Sequence, residues 1–123
     1  MRKISVWLLG SLYVVAGVNH FVSPEGYEKM IPAVFDKPGM INLLAGVVEI
    51  VLGLLVFFRR TRYAACIGIV IMLLAFIPVH IRMIGTGICF GEFCAPKWVL
   101  WLRLLVLQPL LIYWAWRCRH LKV

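Results

Sequence analysis

One stretch constrains this chain more than any other: Gly39 to Phe58, GMINLLAGVVEIVLGLLVFF, an apolar run with a single carboxylate, Glu49, near its middle. Apart from Asn42, that glutamate is the only strongly polar side chain in the run. About 20 residues rising ~1.5 Å each cover roughly 30 Å, the thickness of a bilayer's hydrocarbon core. The stretch is therefore predicted to be a transmembrane helix with an ionisable group at depth. Inserting such a group costs ~2.5 kcal/mol or more, so Glu49 is expected to be neutral, paired or turned towards a polar cavity.

Composition agrees with that solvent. Of the 123 residues, 63% are hydrophobic, against about 45–50% apolar in a soluble domain. Too few polar residues remain to cover a water-soluble surface, and no soluble domain can be separated from the whole. A net charge of +8 would suggest nucleic acid in a soluble protein. Here Arg2, Lys3, Arg59, Arg60, Arg62, Arg117, Arg119 and Lys122 stand at the ends of apolar runs, with no acid beside them. That is the pattern of the positive-inside rule, and it suits anionic lipid headgroups rather than nucleic acid.

Three further runs complete the count. Ile4 to Val22 follows Arg2 and Lys3; it is long enough to span and no A-x-A site follows, so it reads as a span rather than a leader. Tyr63 to Ile84 contains Pro78, which removes a backbone hydrogen bond and should kink the helix. Trp98 to Trp116 contains Arg103, Gln108 and Pro109. The expected fold class is an all-α membrane protein, a single four-helix bundle with spans 4–22, 39–58, 63–84 and 98–116. By the positive-inside rule the cationic clusters are expected to place both termini and the 59–62 turn in the cytoplasm, with loops 23–38 and 85–97 outside. In the first loop, Pro24, Pro32 and Pro38 break continuous helix, and Tyr27, Met30, Ile31 and Phe35 suit the headgroup boundary.

An internal echo links the first two spans. Ala16-Gly17-Val18-x-His20 matches Ala45-Gly46-Val47-x-Glu49. In each, a small pair permits close helix approach and a polar residue three positions on shares its face.

With that orientation, most in-span polar residues (Asn19, His20, Asn42, Glu49, His80, Arg82, Arg103 and Gln108) fall in the outward half. Glu49 and Arg103 differ in depth by roughly 7–8 Å, within reach of an arginine side chain. Two readings stand. In one, His20, Glu49, His80 and Arg103 line a small pocket in which a histidine donates to a quinone carbonyl or shuttles a proton. In the other, Glu49–Arg103 is interhelical glue and the histidines are interfacial. Arg82 is expected to snorkel to headgroups. A metal site would need His20, His80 and Glu49 together, and no i, i+4 or E-x-x-H spacing supports one, so none is expected.

Cys89 and Cys94 share the outward loop between Gly87 and Gly91. In an oxidising compartment they would form a loop-pinning disulfide; the alternative is a redox pair, although C-x-x-x-x-C is not the thioredoxin spacing. Cys66 and Cys118 are read as free thiols. Phosphate loops, nucleophile elbows and paired catalytic carboxylates are absent from the sequence.

The segments AGVNHFVSPEGYEKMIP (16–32), AGVVEIVLGLLVF (45–57) with its RRTR, and IPVHI (77–81) resemble the DoxX-like family of small bacterial membrane proteins, related to DoxD and MauE. The resemblance rests chiefly on Gly17, His20, Phe21, Pro24, Tyr27, Ile31-Pro32, Gly46, Glu49 and Gly53 and covers about two thirds of the chain. It implies four membrane helices and a link to membrane redox systems: thiosulfate–quinone oxidation, redox-stress complexes or disulfide maturation. The CFGEFC loop is not part of that pattern. Three functions follow as expectations: a redox component that binds a lipophilic, quinone-like ligand; a non-catalytic accessory subunit of a larger complex or homo-oligomer, packed through Gly10, Gly17, Gly46, Gly53 and Gly68; and a thiol oxidoreductase acting through Cys89 and Cys94.

Overall fold

The computed structural model describes residues 1–29, 31, 36–87, 89–90 and 92–123, with the side chains of Tyr27 and Phe90 set aside. Met30, Pro32, Phe35 and Gly91, which entered the sequence reading, lie outside the described residues, as does the Tyr27 side chain. The chain runs α1 (Arg2–Val22), α2 (Pro24–Glu28), α3 (Pro38–Phe57), α4 (Arg62–Thr86), a hairpin of β1 (Cys89–Phe90) and β2 (Phe93–Cys94), then α5 (Lys97–Leu102) and α6 (Gln108–Cys118). Between α5 and α6 the backbone widens into a π-helix over Arg103–Leu107, so 97–118 is one continuous rod. Four helices are long and apolar enough to cross a membrane, and every end lies within two residues of the sequence expectation. The departure from an all-α chain is the two-stranded hairpin, whose register pairs Cys89 with Cys94 and Phe90 with Phe93.

Local chemistry explains the boundaries. Pro38 sits in the first turn of α3, where its missing N–H would have no helical partner anyway. Pro24 opens α2 in the same way. Helix α4 ends at Gly87, which takes φ of 75° and donates its N–H to the Met83 carbonyl. Helical hydrogen bonding continues on both sides of Pro78, which lies inside α4. The π segment precedes Pro109, whose ring would crowd the Leu105 carbonyl in a regular α-helix; one wider turn relieves that clash.

The end of α3 is closed by side chains. Thr61 Oγ1 donates to the Leu55 carbonyl at 2.7 Å. Arg62, only 3% exposed, donates from Nε to Val56 O at 2.8 Å and from Nη2 to Phe57 O at 3.0 Å. Its Nη1 reaches Leu121 O and Val123 O at 2.6 and 3.0 Å. Arg62 thus satisfies the orphan carbonyls of α3 and ties them to the tail after α6. The 59–62 turn, the start of α1 and residues 118–123 consequently share one end of the bundle, the chain-end side; the hairpin marks the other.

Packing is densest towards the chain-end side. Val6, Leu9 and Tyr13 of α1, Val56 of α3, Ala65, Cys66 and Ile69 of α4, and Ala115 and Cys118 of α6 form one buried cluster. A smaller one gathers Met83 and Leu100 with Val79, Ile84 and Ala95 below the hairpin. Gln108 joins α6 to α4, donating Nε2 to the Leu73 carbonyl at 2.6 Å. The outward faces are apolar, with Leu8, Val15, Leu44, Ile71 and Leu105 all exposed.

Candidate functional site

The site grows out of the α1–α3 seam. A Cβ built on Gly17 would lie 2.6 Å from the Gly46 carbonyl oxygen, and one on Gly53 would lie 2.8 Å from the Gly10 carbonyl oxygen. The two helices therefore touch backbone to backbone at two levels seven residues apart, and only hydrogen fits at these positions. The pairings 10 with 53 and 17 with 46 define an antiparallel register. In that register the Cα of Glu49 lies six residues, ~9 Å, along the axis from that of His20. Helix side chains lean towards their own N-terminus. Because α1 and α3 run oppositely, His20 and Glu49 lean towards each other and close the gap.

They meet at 3.0 Å, His20 Nε2 to Glu49 Oε2, with both residues buried. The other side of the ring is held by Asn42. Its Nδ2 donates to the His20 backbone carbonyl at 2.9 Å, which fixes the amide orientation and turns Oδ1 towards His20 Nδ1 at 2.7 Å. An amide oxygen only accepts, so Nδ1 carries a hydrogen. Two bare lone pairs would repel at 3.0 Å in a buried site, so the contact is that of an ion pair, although its angle is too bent for a good hydrogen bond. Whether written as imidazolium–carboxylate or imidazole–carboxylic acid, the pair is neutral overall. That neutrality makes its depth in an apolar bundle affordable.

Beside the pair lies a cavity of about 160 Å³. His20, Asn42, Glu49, His80 and Arg103 supply its polar wall. Ala16, Ile31, Ile41, Ala45, Phe76 and Val79 supply the apolar one. A cavity of about 150 Å³ is large enough for a benzene ring. It occupies the space between the two packed clusters, where alanine and glycine leave α1 and α3 without bulk.

All four site residues expected from the sequence converge on this cavity. Their pairing differs from the interhelical alternative: among the described residues Glu49 pairs with His20 and no carboxylate lies within ion-pairing distance of Arg103. The glue between α1 and α3 is thus histidine–glutamate, because the glycine seam brings those helices closer than α3 and the last rod. Arg103 is exposed at the cavity rim, whereas His80 is buried with Nδ1 lacking a hydrogen-bond partner among the described residues. Arg82 is half-buried, its Nη1 likewise without one, and does not line the cavity. Asn42 was absent from the expected set. Its signal was available, since it precedes Glu49 by seven residues and so shares the same helix face.

The echo between 16–20 and 45–49 has a spatial meaning: its two copies face each other across the seam, Gly17 on Gly46 and His20 on Glu49. Cys89 and Cys94 are joined by a disulfide across the hairpin, and both are exposed. Cys66 and Cys118 are free and buried. Among the described residues no three His, Cys, Asp or Glu side chains gather as a metal site.

The model of a domain of unknown function, DUF8561, matches residues 9–119. The chain belongs to that family. The match takes in the glycine seam, the His20–Asn42–Glu49 cluster, α1 from Leu9 onwards and the other three long helices. No curated protein and no solved structure matches the chain.

Proposed function

We propose that this DUF8561 member is a small integral protein of a bacterial inner membrane, with both chain ends cytoplasmic, and that its cavity binds the ring of a lipophilic, quinone-like molecule in a membrane redox system. The observation that carries the reading is a ring-sized cavity with apolar walls beside the buried His20–Glu49 pair. A carbonyl oxygen entering the cavity can accept from the second Nδ2 hydrogen of Asn42 or from the His80 ring, beside a pair that adds no net charge to the bundle. Arg103 at the rim and His80 opposite give a second polar contact for the far side of the ring. The DoxX-like resemblance points to the same chemistry. The gathering of Arg2, Arg59, Arg60, Arg62, Arg117 and Arg119 at the chain-end side supports the orientation.

The glycines named for partner packing are used internally: Gly10, Gly17, Gly46 and Gly53 close the seam and Gly68 meets Leu52. A scaffold role, in a larger complex or as a homo-oligomer, therefore has less to rest on than the cavity. Thiol–disulfide exchange through Cys89 and Cys94 is a second reading, favoured by the exposure of both cysteines; full in-cell function of Cys89→Ser would reject it.

Mass spectrometry of the organic extract of purified protein tests the ligand reading. A quinone should travel with the wild-type chain and be depleted from Glu49→Gln. Its absence from wild-type protein purified from quinone-containing membranes counts against the proposal.

A further inference from the structure

A second concavity, of about 610 Å³, opens at the chain-end side, more than half the bundle's length from the His20–Glu49 cavity. Arg2 and Ser5 of α1 form one wall; Arg117 and Arg119, at the end of α6 and just beyond it, form the other with His120 and Leu121. No acid lines it. Four of the chain's five acids, Glu25, Glu28, Asp36 and Glu92, lie towards the hairpin side, and the fifth is the paired Glu49. No acidic side chain among the described residues thus neutralises the cations here.

The walls are held in place. Arg62 fixes the tail through Leu121 O and Val123 O. The Arg119 guanidinium lies 3.5 Å over the Trp116 ring, Nη1 donates to the Trp116 carbonyl, and its buried Nε has no partner among the described residues. Arg117 stands 6.0 Å from the Tyr113 ring centroid, and the His120 ring lies 5.4 Å from that of Tyr63. Trp114 Nε1 donates to Ser5 Oγ at 2.7 Å, leaving the serine hydroxyl hydrogen to point to Cys118 Sγ, 3.4 Å away, or into the concavity. Exposed Ile4 and Leu8 on α1, with Tyr113 and Trp116 on α6, continue the site as an apolar surface along the helices.

From this arrangement we propose that the concavity is a binding site for the phosphate headgroup of an anionic glycerophospholipid, its acyl chains lying along the exposed faces of α1 and α6. Guanidinium forks match phosphate oxygens, and basic pockets among membrane helices on the cytoplasmic side suit such headgroups. The uniform positive charge selects against a choline headgroup, whose own cation would be repelled. Inorganic phosphate shares the anion but lacks the chains that the apolar faces would cover. The site rests on the membrane reading and is independent of any ring ligand in the other cavity.

The test is native mass spectrometry of detergent-purified full-length chain with dioleoyl phosphatidylglycerol, dioleoyl phosphatidylcholine or inorganic phosphate. Phosphatidylglycerol should be retained several-fold better than phosphatidylcholine, and inorganic phosphate in excess should not displace it. The double variant R117Q/R119Q should lose about tenfold or more in phosphatidylglycerol retention. The control R59Q/R60Q removes the same charge from two exposed arginines on that side but outside the concavity, and should lose less than about twofold. Folding is checked by gel filtration; if R117Q/R119Q aggregates, R2Q takes its place. Equal losses in the two double variants would show a diffuse surface charge and overturn the site. Equal retention of the two lipids, or displacement by phosphate alone, would overturn the lipid assignment.

Discussion

His20 of α1 and Glu49 of α3 pair at 3.0 Å across a seam that glycine alone can form. The pair is oriented from behind by Asn42 and faced by a ring-sized cavity. Structure and proposed chemistry meet at that contact, and it yields the first expectation. Glu49→Gln keeps an amide donor opposite Nε2, so the fold should survive with a loss of about 1 kcal/mol. Glu49→Ala leaves a buried polar partner unmatched and should cost about 3 kcal/mol. A double-mutant cycle with His20→Ala should return a coupling of about 1–3 kcal/mol; strict additivity in chemical or thermal unfolding would separate the two residues energetically.

The seam itself can be probed with single methyl groups. Gly17→Ala and Gly46→Ala place carbon within 3.0 Å of backbone on the facing helix, and His20 Cβ lies 2.9 Å from the Gly46 position. Each should destabilise by about 1–3 kcal/mol, and Gly46→Ala should also displace the histidine. Gly85→Ala meets nothing within 4 Å and serves as the control, neutral or slightly stabilising. If thermal midpoints of all three variants coincide, the helices are not in backbone contact.

Arg62 is expected to behave as a structural residue rather than as one more surface charge at the chain-end side. Arg62→Lys keeps the charge but has no fork with which to reach Val56, Phe57, Leu121 and Val123 together. It should lose about 2–3 kcal/mol, while Arg59→Lys changes stability by less than about 0.5 kcal/mol. Similar melting of the two variants would assign Arg62 to surface charge alone.

Reducing the Cys89–Cys94 bridge should act locally. The loop it closes is short, so its contribution in the chain-entropy picture is about 2 kcal/mol and confined to the hairpin. Hydrogen exchange should quicken around 89–94 after reduction, with the amides of α1 and α3 unchanged. Loosening of α1 and α3 would tie the hairpin to the seam.

The four long helices were readable because each announces itself by an apolar run of fixed length, bounded by prolines or cations. Glu49 stood out for the same reason, as a carboxylate where almost every neighbour is a hydrocarbon. His20, His80 and Arg103 could be gathered around it from depth alone. Pairing was harder, because depth says how far along the normal a group lies and nothing about which helix is nearest. The repeated AGV segments carried that information, but only their spacing from Gly10 and Gly53 turns an echo into a register. Arg62 was hidden among Arg59 and Arg60, which look identical in sequence; burial alone separates it. The π segment was signalled by Pro109 only as a disturbance, not as a particular widening of the turn.

The central claim, that the cavity beside His20 and Glu49 binds a quinone-like ring, is tested most directly by thermal unfolding of the purified protein with a short-chain ubiquinone analogue. A ligand at about 100 times its Kd stabilises the folded state by about 2.7 kcal/mol. The wild-type midpoint should therefore rise by several degrees with saturating analogue and the Glu49→Gln midpoint should hardly move. A wild-type curve indifferent to the analogue, or an equal rise in both proteins, would contradict it.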